Sequence, residues 1–349
     1  MNAKPPSAQS IAPLLLDWYD AHARTLPWRA KPGAPADPYR VCLSEIMLQQ
    51  TMVATVGRRF DAFIARWPNV AALAAAEDAD LMAAWAGLGY YARARNLLAC
   101  ARAVVADHGG VFPDEEAMLR RLPGIGDYTA AAITAIAFGK RAVVIDGNVE
   151  RVVARLFAID QPLPAAKSAI RACADTITPN ERAGDFAQAM MDLGSSHCSP
   201  RAPDCLLCPL RPHCQGAASG EPGRFPVKAT KKAKPQRYGT IFWLEADRQV
   251  LLVRRPDKGL LGGMRALPTG PWADAPPGLA DAPVTGIDWQ IVPDRVGHVF
   301  THFRLELTLA VASGQRHAPP ATGEWWAVDD LDSAGLPTVF AKAARLRRR

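Results

Sequence analysis

The sequence predicts a multi-domain chain: an all-α region closed by a metal-binding cysteine loop, followed by a smaller α+β domain. Three observations carry the prediction. Up to about Ser199 the apolar residues recur at helical spacing, with breaks at glycine and proline. Four cysteines, Cys198, Cys205, Cys208 and Cys214, then stand with six, two and five residues between them. Farther on, Phe303, Leu305, Leu307 and Leu309 alternate with Arg304, Glu306 and Thr308, the period of a half-buried strand.

The helices follow in order. Ile11, Leu14, Leu15 and Trp18 share one face of the first, and Leu43, Ile46 and Met47 one face of the second. Further helices are expected at about 54–66, 77–86, 91–107, 114–121, 127–138, 147–158, 165–177 and 183–194. Their limits are set at Trp67-Pro68, Gly87-Leu88-Gly89, Gly109-Gly110, Pro123-Gly124 and Pro162 to Pro164. Residues 216–237, with Gly, Pro, Ser and the basic run Lys228, Lys231, Lys232, Lys234 and Arg237, read as a linker. Strands at Thr240–Leu244 and Val250–Arg254 and a last helix from Val339 into Arg345–Arg349 complete the second domain.

Composition bounds the function without naming it. A chain of 349 residues is expected to hold two or three domains, each large enough for its own core, and 49% apolar residues is ordinary for a globular protein. The 41 basic against 34 acidic side chains give +7, a mild lean toward a polyanion. The three other cysteines, Cys42, Cys100 and Cys173, fall in apolar helical stretches and read as buried thiols. No disulfide framework, signal-peptide core or bilayer-length apolar run is visible, so a reducing, cytoplasmic compartment is expected.

Five segments carry chemistry. The cysteines form one thiolate set, most simply for a 4Fe–4S cluster, with zinc as the competing metal. Zinc folds usually separate two C-x-x-C pairs by a longer insert. Leu122-Pro123-Gly124-Ile125-Gly126 makes a tight turn between helices; its backbone N–H groups suit a DNA phosphate, and a plain helical turn uses the same residues. Asp146, in Val144-Ile145-Asp146-Gly147-Asn148-Val149, is the natural N-cap of the next helix. A negative charge there also suits a developing oxocarbenium ion. Glu45 is the lone acid in Ser44-Glu45-Ile46-Met47-Leu48-Gln49-Gln50-Thr51, where burial would keep it protonated near neutrality. An exposed helical glutamate is its bland alternative. Gln49, Gln50 and Thr51 offer amide and hydroxyl groups to base edges. Gly87-Leu88-Gly89-Tyr90-Tyr91-Ala92-Arg93-Ala94-Arg95 joins a turn to aromatics and two cations, suited to stacking on bases and gripping a backbone. The same composition would serve a turn and a solvated helix face.

These residues resemble the helix-hairpin-helix DNA glycosylases of the endonuclease III type. Leu26-Pro27-Trp28-Arg29, Met47-Leu48-Gln49-Gln50-Thr51, Gly89-Tyr90-Tyr91-Ala92-Arg93 and Asp146-Gly147-Asn148-Val149-Glu150-Arg151-Val152 are similar, more finely, to the adenine DNA glycosylases, the MutY family. The resemblance implies residues 1–215 as the glycosylase region, with a six-helix module at about 29–135 and an iron–sulfur module formed by the N-terminal segment with 136–215. It implies 216–237 as the linker and 238–349 as a Nudix-like lesion-recognition domain. The implied activity is hydrolysis of the N-glycosidic bond of adenine paired with 8-oxoguanine, and with guanine, in double-stranded DNA, by a monomer with no membrane role, nucleoid-associated if bacterial. Glu45 and Asp146 would be catalytic, with Tyr128 and Asn148 orienting them. Trp28 and Arg29 would line the pocket, and Gln50 and Tyr90 would flank the gap in the stack. Leu122, Gly124 and Gly126 would meet the backbone, and the cluster would present Arg201 and Arg211 to phosphates. Bifunctional relatives carry a lysine where this chain has Tyr128, and tyrosine forms no imine. An endonuclease III-like glycosylase/lyase for oxidised pyrimidines, or a non-catalytic helix-hairpin-helix DNA-binding protein, are the alternatives.

In the second domain, Arg254-Arg255-Pro256 and Gly259-Leu260-Leu261-Gly262-Gly263-Met264 fit the Nudix-like pattern, while Arg265-Ala266-Leu267-Pro268 departs from its usual Trp-Glu-Phe-Pro. Residues 262–285 lack the Arg-Glu-x-x-Glu-Glu pattern of magnesium-dependent Nudix hydrolases. Phe300, Thr301 and His302 stand where the family reads the oxidised guanine with Phe-Ser-His.

Overall fold

The computed structural model describes residues 6–229, 233–256, 259–300, 302–314 and 323–348. Thr301, Lys231, Lys232 and Arg349, named above, lie outside the described residues. The chain divides into two compact units, 1–230 and 231–349. Among the described residues no helix is long and apolar enough to cross a membrane.

The first unit is helical: α1 (Ala8–His22), α2 (Pro38–Leu48), α3 (Val53–Arg66), α4 (Val70–Ala74), α5 (Asp78–Ala84), α6 (Ala92–His108), α7 (Glu116–Leu119), α8 (Asp127–Ile136), α9 (Gly147–Leu156), α10 (Lys167–Ile177), α11 (Ala183–Ser196) and α12 (Gln215–Ala218). Two cores explain the arrangement. One gathers α2 to α7, with Leu43, Ile46 and Met47 of α2 fully buried, a burial worth roughly 2 kcal/mol per side chain. The other joins α1 to α9, α10 and α11.

Helix α8 belongs to both cores. Its Ala130 and Ile133 face the first, and Ala131, Ala132 and Ala135 face the second. Small side chains on both faces let the neighbours approach closely. At Gly184 of α11 an added Cβ would run into the Ala135 carbonyl. The consequence is positional: α2 and α11 pack on the two sides of one thin helix.

Several expectations are corrected here. The short α4 was not foreseen; Asn69 caps it by accepting from the Ala72 N–H at 2.8 Å. Leu14 is exposed while Ile11 and Leu15 are buried. Cys42 and Cys100 are buried, whereas Cys173 is only half-buried. The expected linker is ordered over much of its length: α12 packs on α9, Phe225 is buried in the second core, and Leu163 accepts a bridge partner in Lys228.

The second unit contains β1 (Gln236–Ala246), β2 (Gln249–Arg254), β3 (Arg265–Ala266), β4 (Gln290–Val299), β5 (Arg304–Ser313), β6 (Gly323–Ala327) and α13 (Thr338–Arg347). The sheet runs β3-β2-β1-β5-β4, with β6 also paired to β2. The central pair β1·β5 is parallel, from Gln236 opposite Arg304 to Glu245 opposite Ser313; the other pairings are antiparallel. Strand β4 escaped the reading because it is an edge, buried only at Val296 and half-buried at Val292 and His298, so its sequence shows no clear alternation.

Candidate active site

A cavity of about 760 Å³ opens in the first unit between α2, α8 and α9. Glu45 projects into it from α2 and is 7% exposed. The Tyr128 hydroxyl, in the first turn of α8, donates to Glu45 Oε2 at 2.7 Å. Burial pushes the Glu45 carboxyl up from its ordinary 4.5 to about 7. The Tyr128 hydrogen bond and the Arg29 charge pull it down, and the Asp146 charge pushes it up. Burial also holds the Tyr128 hydroxyl well above its usual range.

Asp146 lines the same cavity and caps α9. Its Oδ1 accepts from the N–H groups of Asn148 at 2.8 Å and Val149 at 2.7 Å, and its Oδ2 accepts from Asn148 Nδ2 at 2.9 Å. Three donors therefore fix the carboxylate. Asn148 is itself held: its Oδ1 accepts from Arg151 Nη2 at 2.9 Å, and Arg151 also donates to the carbonyls of Gly194 (2.6 Å) and Cys198 (2.8 Å). An added Cβ at Gly194 would stand 2.6 Å from Asn148 Cβ, so α11 too presses on this asparagine.

The opposite wall carries Trp28 and Arg29. Trp28 is buried and meets Phe60 edge-on at 5.5 Å. Arg29 is clamped by Asp192 of α11 through Nη1 to Oδ2 at 2.6 Å and Nη2 to Oδ1 at 2.9 Å. Arg24 Nε reaches the same Oδ1 at 2.6 Å. Sequence reasoning missed Asp192, although it is a lone acid in the apolar run 186–193, the same signal that singled out Glu45. Gln188, one turn earlier on α11, also lines the cavity and was missed.

The rim is formed by Gln49, Gln50, Thr51 and Tyr90. Gln50 and Tyr90 are exposed and hold φ of 55° and 48°, a left-handed conformation that costs a non-glycine residue roughly 1 kcal/mol or more. Arg93 explains how they are held, and it corrects the expectation of a backbone-gripping cation. It is buried, and its Nη1 donates to the carbonyls of Ile46 (3.1 Å), Met47 (2.9 Å) and Gln49. Its Nη2 donates to Leu88 O (2.8 Å), Gly89 O (3.2 Å) and Thr51 Oγ1 (3.0 Å). Arg95 is exposed.

The turn before α8 is built on Gly124, whose φ is +76° and where an added Cβ would lie 2.7 Å from Asn96 Cβ. Gly126 caps α8 with extended backbone, open space around it and no side-chain cap, so the first N–H groups of α8 face outward. The Leu122 side chain is buried in the core, so its part in any backbone contact is limited to its main chain.

Cys198, Cys205, Cys208 and Cys214 line one small cavity with Arg155. Arg155 is 2% exposed; its Nη1 donates to Cys198 Sγ at 3.2 Å and to Ser199 O at 2.7 Å, and its Nε to Phe225 O at 3.1 Å. The Ala217 N–H donates to Cys214 Sγ at 3.4 Å. Burial pushes the Cys208 thiol up to about 12 in the metal-free protein. Arg201 and Arg211 on this loop are exposed.

In the second unit Phe300 stacks on Trp272 at 5.4 Å and meets His298 edge-on at 4.5 Å, and His302 is exposed beside them in sequence. The Arg255 guanidinium lies 5.3 Å from the Trp272 ring centre.

Comparison with known proteins agrees with these two halves. Residues 43–178 match the HhH-GPD superfamily of base excision DNA repair proteins, and residues 240–346 match the NUDIX domain. The chain is 32% identical to the adenine DNA glycosylase of Homo sapiens, over 95% of this chain and 73% of the human one. It is 40% identical to that of Mycolicibacterium smegmatis, over 69% of this chain and 78% of the relative. The solved structure of a thermostable thymine-DNA glycosylase superposes with a TM-score of 0.54 at 28% identity, covering 61% of this chain and 97% of that one.

Proposed function

The chain belongs to the adenine DNA glycosylases, with a helix-hairpin-helix unit followed by a Nudix-like one, and on that premise we propose that it removes adenine paired with 8-oxoguanine or guanine in double-stranded DNA, by hydrolysis without strand cleavage. One arrangement carries the reading: Glu45, hydrogen-bonded by Tyr128, and Asp146, fixed by three donors, face the same cavity.

An adenine inside a duplex is out of reach, so it is flipped into the cavity, whose volume suits a small-molecule site. Protonated Glu45 gives its proton to N7, and adenine leaves as a neutral purine. The C1′–N9 bond breaks with its electron pair on the base and leaves a cationic sugar. Asp146 opposes that cation until water adds at C1′ and gives up a proton, which returns the Glu45 carboxylate to its acid form. A group that titrates near 7 is partly protonated at neutral pH and still acidic enough to donate. Asn148 holds Asp146 in place, and Tyr128 orients Glu45. Having no amine at position 128, the pocket offers no imine at that place and no lyase step through it.

The residues fit a 4Fe–4S cluster. Four thiols line one cavity, and Arg155 and the Ala217 N–H aim donors at their sulfurs. The spacing Cys198, Cys205, Cys208 and Cys214 holds one C-x-x-C pair and lacks the second pair beyond a longer insert that zinc folds usually have, which supports a cluster over one zinc. When bound, it cross-links the loop that carries Arg201 and Arg211. The Phe300, Thr301 and His302 segment would read the oxidised guanine through aromatic contact and hydrogen bonding, with Gln50 and Tyr90 flanking the vacated stack. The buried thiols Cys42 and Cys100 suit a reducing, cytoplasmic setting, and one copy carries every group named, so a monomer suffices.

The test is single-turnover excision on duplexes with adenine opposite 8-oxoguanine, guanine or thymine. The wild type should act on the first two and leave strands intact until alkali is added. Asp146→Asn should bind the duplex and lose about 100-fold or more in rate. A near-normal rate for that variant, or strand breaks without alkali, would overturn the reading.

A further inference from the structure

We propose that Asp192 is a positioning residue for excision and acts through Arg29. The inference rests on the reading of Glu45 as the donor to the leaving base.

Asp192 is 1% exposed and does not itself line the cavity, whereas Arg24 and Arg29 both do. One carboxylate takes four donors: Arg29 Nη1 and Nη2, Arg24 Nε and the Arg24 N–H at 3.3 Å. Two cations on one anion leave a net positive charge at the cavity wall. The Arg29 side chain is 7% exposed and held by a planar two-point fork, so its guanidinium has one orientation.

A buried ion pair is a weak way to stabilise a fold compared with apolar packing of the same volume. Its position gives the function. The Arg29 charge acts on both Glu45 and Tyr128. When Glu45 gives up its proton it becomes a carboxylate, and Arg29 is the cation that favours this product state. The interaction is stronger after proton transfer than before it, which is the condition for lowering the barrier rather than tightening binding. Asp192 keeps the cation at that place. Lysine at 29 would not answer the same fork.

The experiment measures single-turnover excision and duplex affinity on the full chain, for Asp192→Asn, Arg29→Ala and the double variant, with Asp192→Glu as the conservative change. Asp192→Asn should lower the rate about 10-fold or more with affinity within about two-fold, and Asp192→Glu should recover part of the loss. In the Arg29→Ala background, Asp192→Asn should add less than about two-fold, since the effect travels through Arg29. If melting shows that the Asn variant does not fold, Asp192→Glu with Arg29→Ala runs the same cycle. A rate for the Asp192 variant within about two-fold of wild type, or effects that multiply in the double variant, would overturn the proposal. Asp146→Asn assayed in parallel separates the failures. If it too keeps its rate, the reading of the site is wrong; if it is inactive while Asp192→Asn is normal, only this inference falls.

Discussion

Glu45→Gln should make the first unit more stable while removing the proposed proton donor, and the size of the gain should depend on pH. The carboxyl is buried and titrates near 7 when folded, against 4.5 when solvated. A raised folded value means that the folded chain binds a proton the unfolded chain has released, so ionisable Glu45 weakens the fold increasingly as pH climbs from 4.5 to 7 and by a constant amount above. At 1.36 kcal/mol per pH unit that plateau is about 3 kcal/mol, and at pH 5.5 the penalty is about 1 kcal/mol. Glutamine is neutral throughout and keeps an oxygen for the Tyr128 hydroxyl. Unfolding followed at pH 5.5 and pH 8.5 should therefore show the variant more stable than wild type at both, with the advantage larger by about 2 kcal/mol at the higher pH. Excision should fall by about 100-fold or more, and the decline in wild-type rate as pH rises through about 7 should be missing from the residual activity. An advantage that does not change with pH would show that Glu45 carries no desolvation penalty, and the argument for its role as acid would fail with it.

Three further outcomes are expected. Tyr128→Phe removes a hydrogen bond that lowers the Glu45 value, so the upper limb of the pH–rate profile should move to higher pH; a shift downward would contradict the pairing. Gly126→Ala has open space and ordinary backbone angles, so stability should hold while duplex affinity drops, whereas Gly124→Ala meets Asn96 and a positive φ and should destabilise by roughly 2 kcal/mol or more; melting and binding curves for the two distinguish these cases. Purified protein should be yellow-brown, absorbing near ~400 nm from thiolate-bound iron–sulfide, and Cys208→Ser should lose both colour and soluble yield; colourless wild type carrying one zinc would refute the cluster.

Which parts of this were legible in the sequence has a physical pattern. Glu45 stood out because an acid among Leu43, Ile46 and Met47 has nowhere polar to go. Asp146 stood out because N-caps have a local signature. Both are short-range signals. Arg93 was misread because its burial depends on five carbonyls supplied by two separate segments, Ile46 to Gln49 and Leu88 to Gly89. Asp192 carries the same local signal as Glu45, a lone acid among apolar residues, but its partners lie more than 160 residues away, so its role could not be read from its neighbours in sequence. Residues 216–237 have the composition of a linker, yet Phe225 and its carbonyl contact with Arg155 tie the first part of the segment down.

The contorted backbone at Gln50 and Tyr90, locked from behind by Arg93, implies that the lip of the cavity is already shaped before any duplex arrives. The entropy of ordering those two backbone segments is met once, when the protein folds, rather than at each encounter along the genome. A search that must sample very many undamaged pairs then proceeds with a stiff probe, and discrimination falls to how readily the DNA, not the enzyme, deforms.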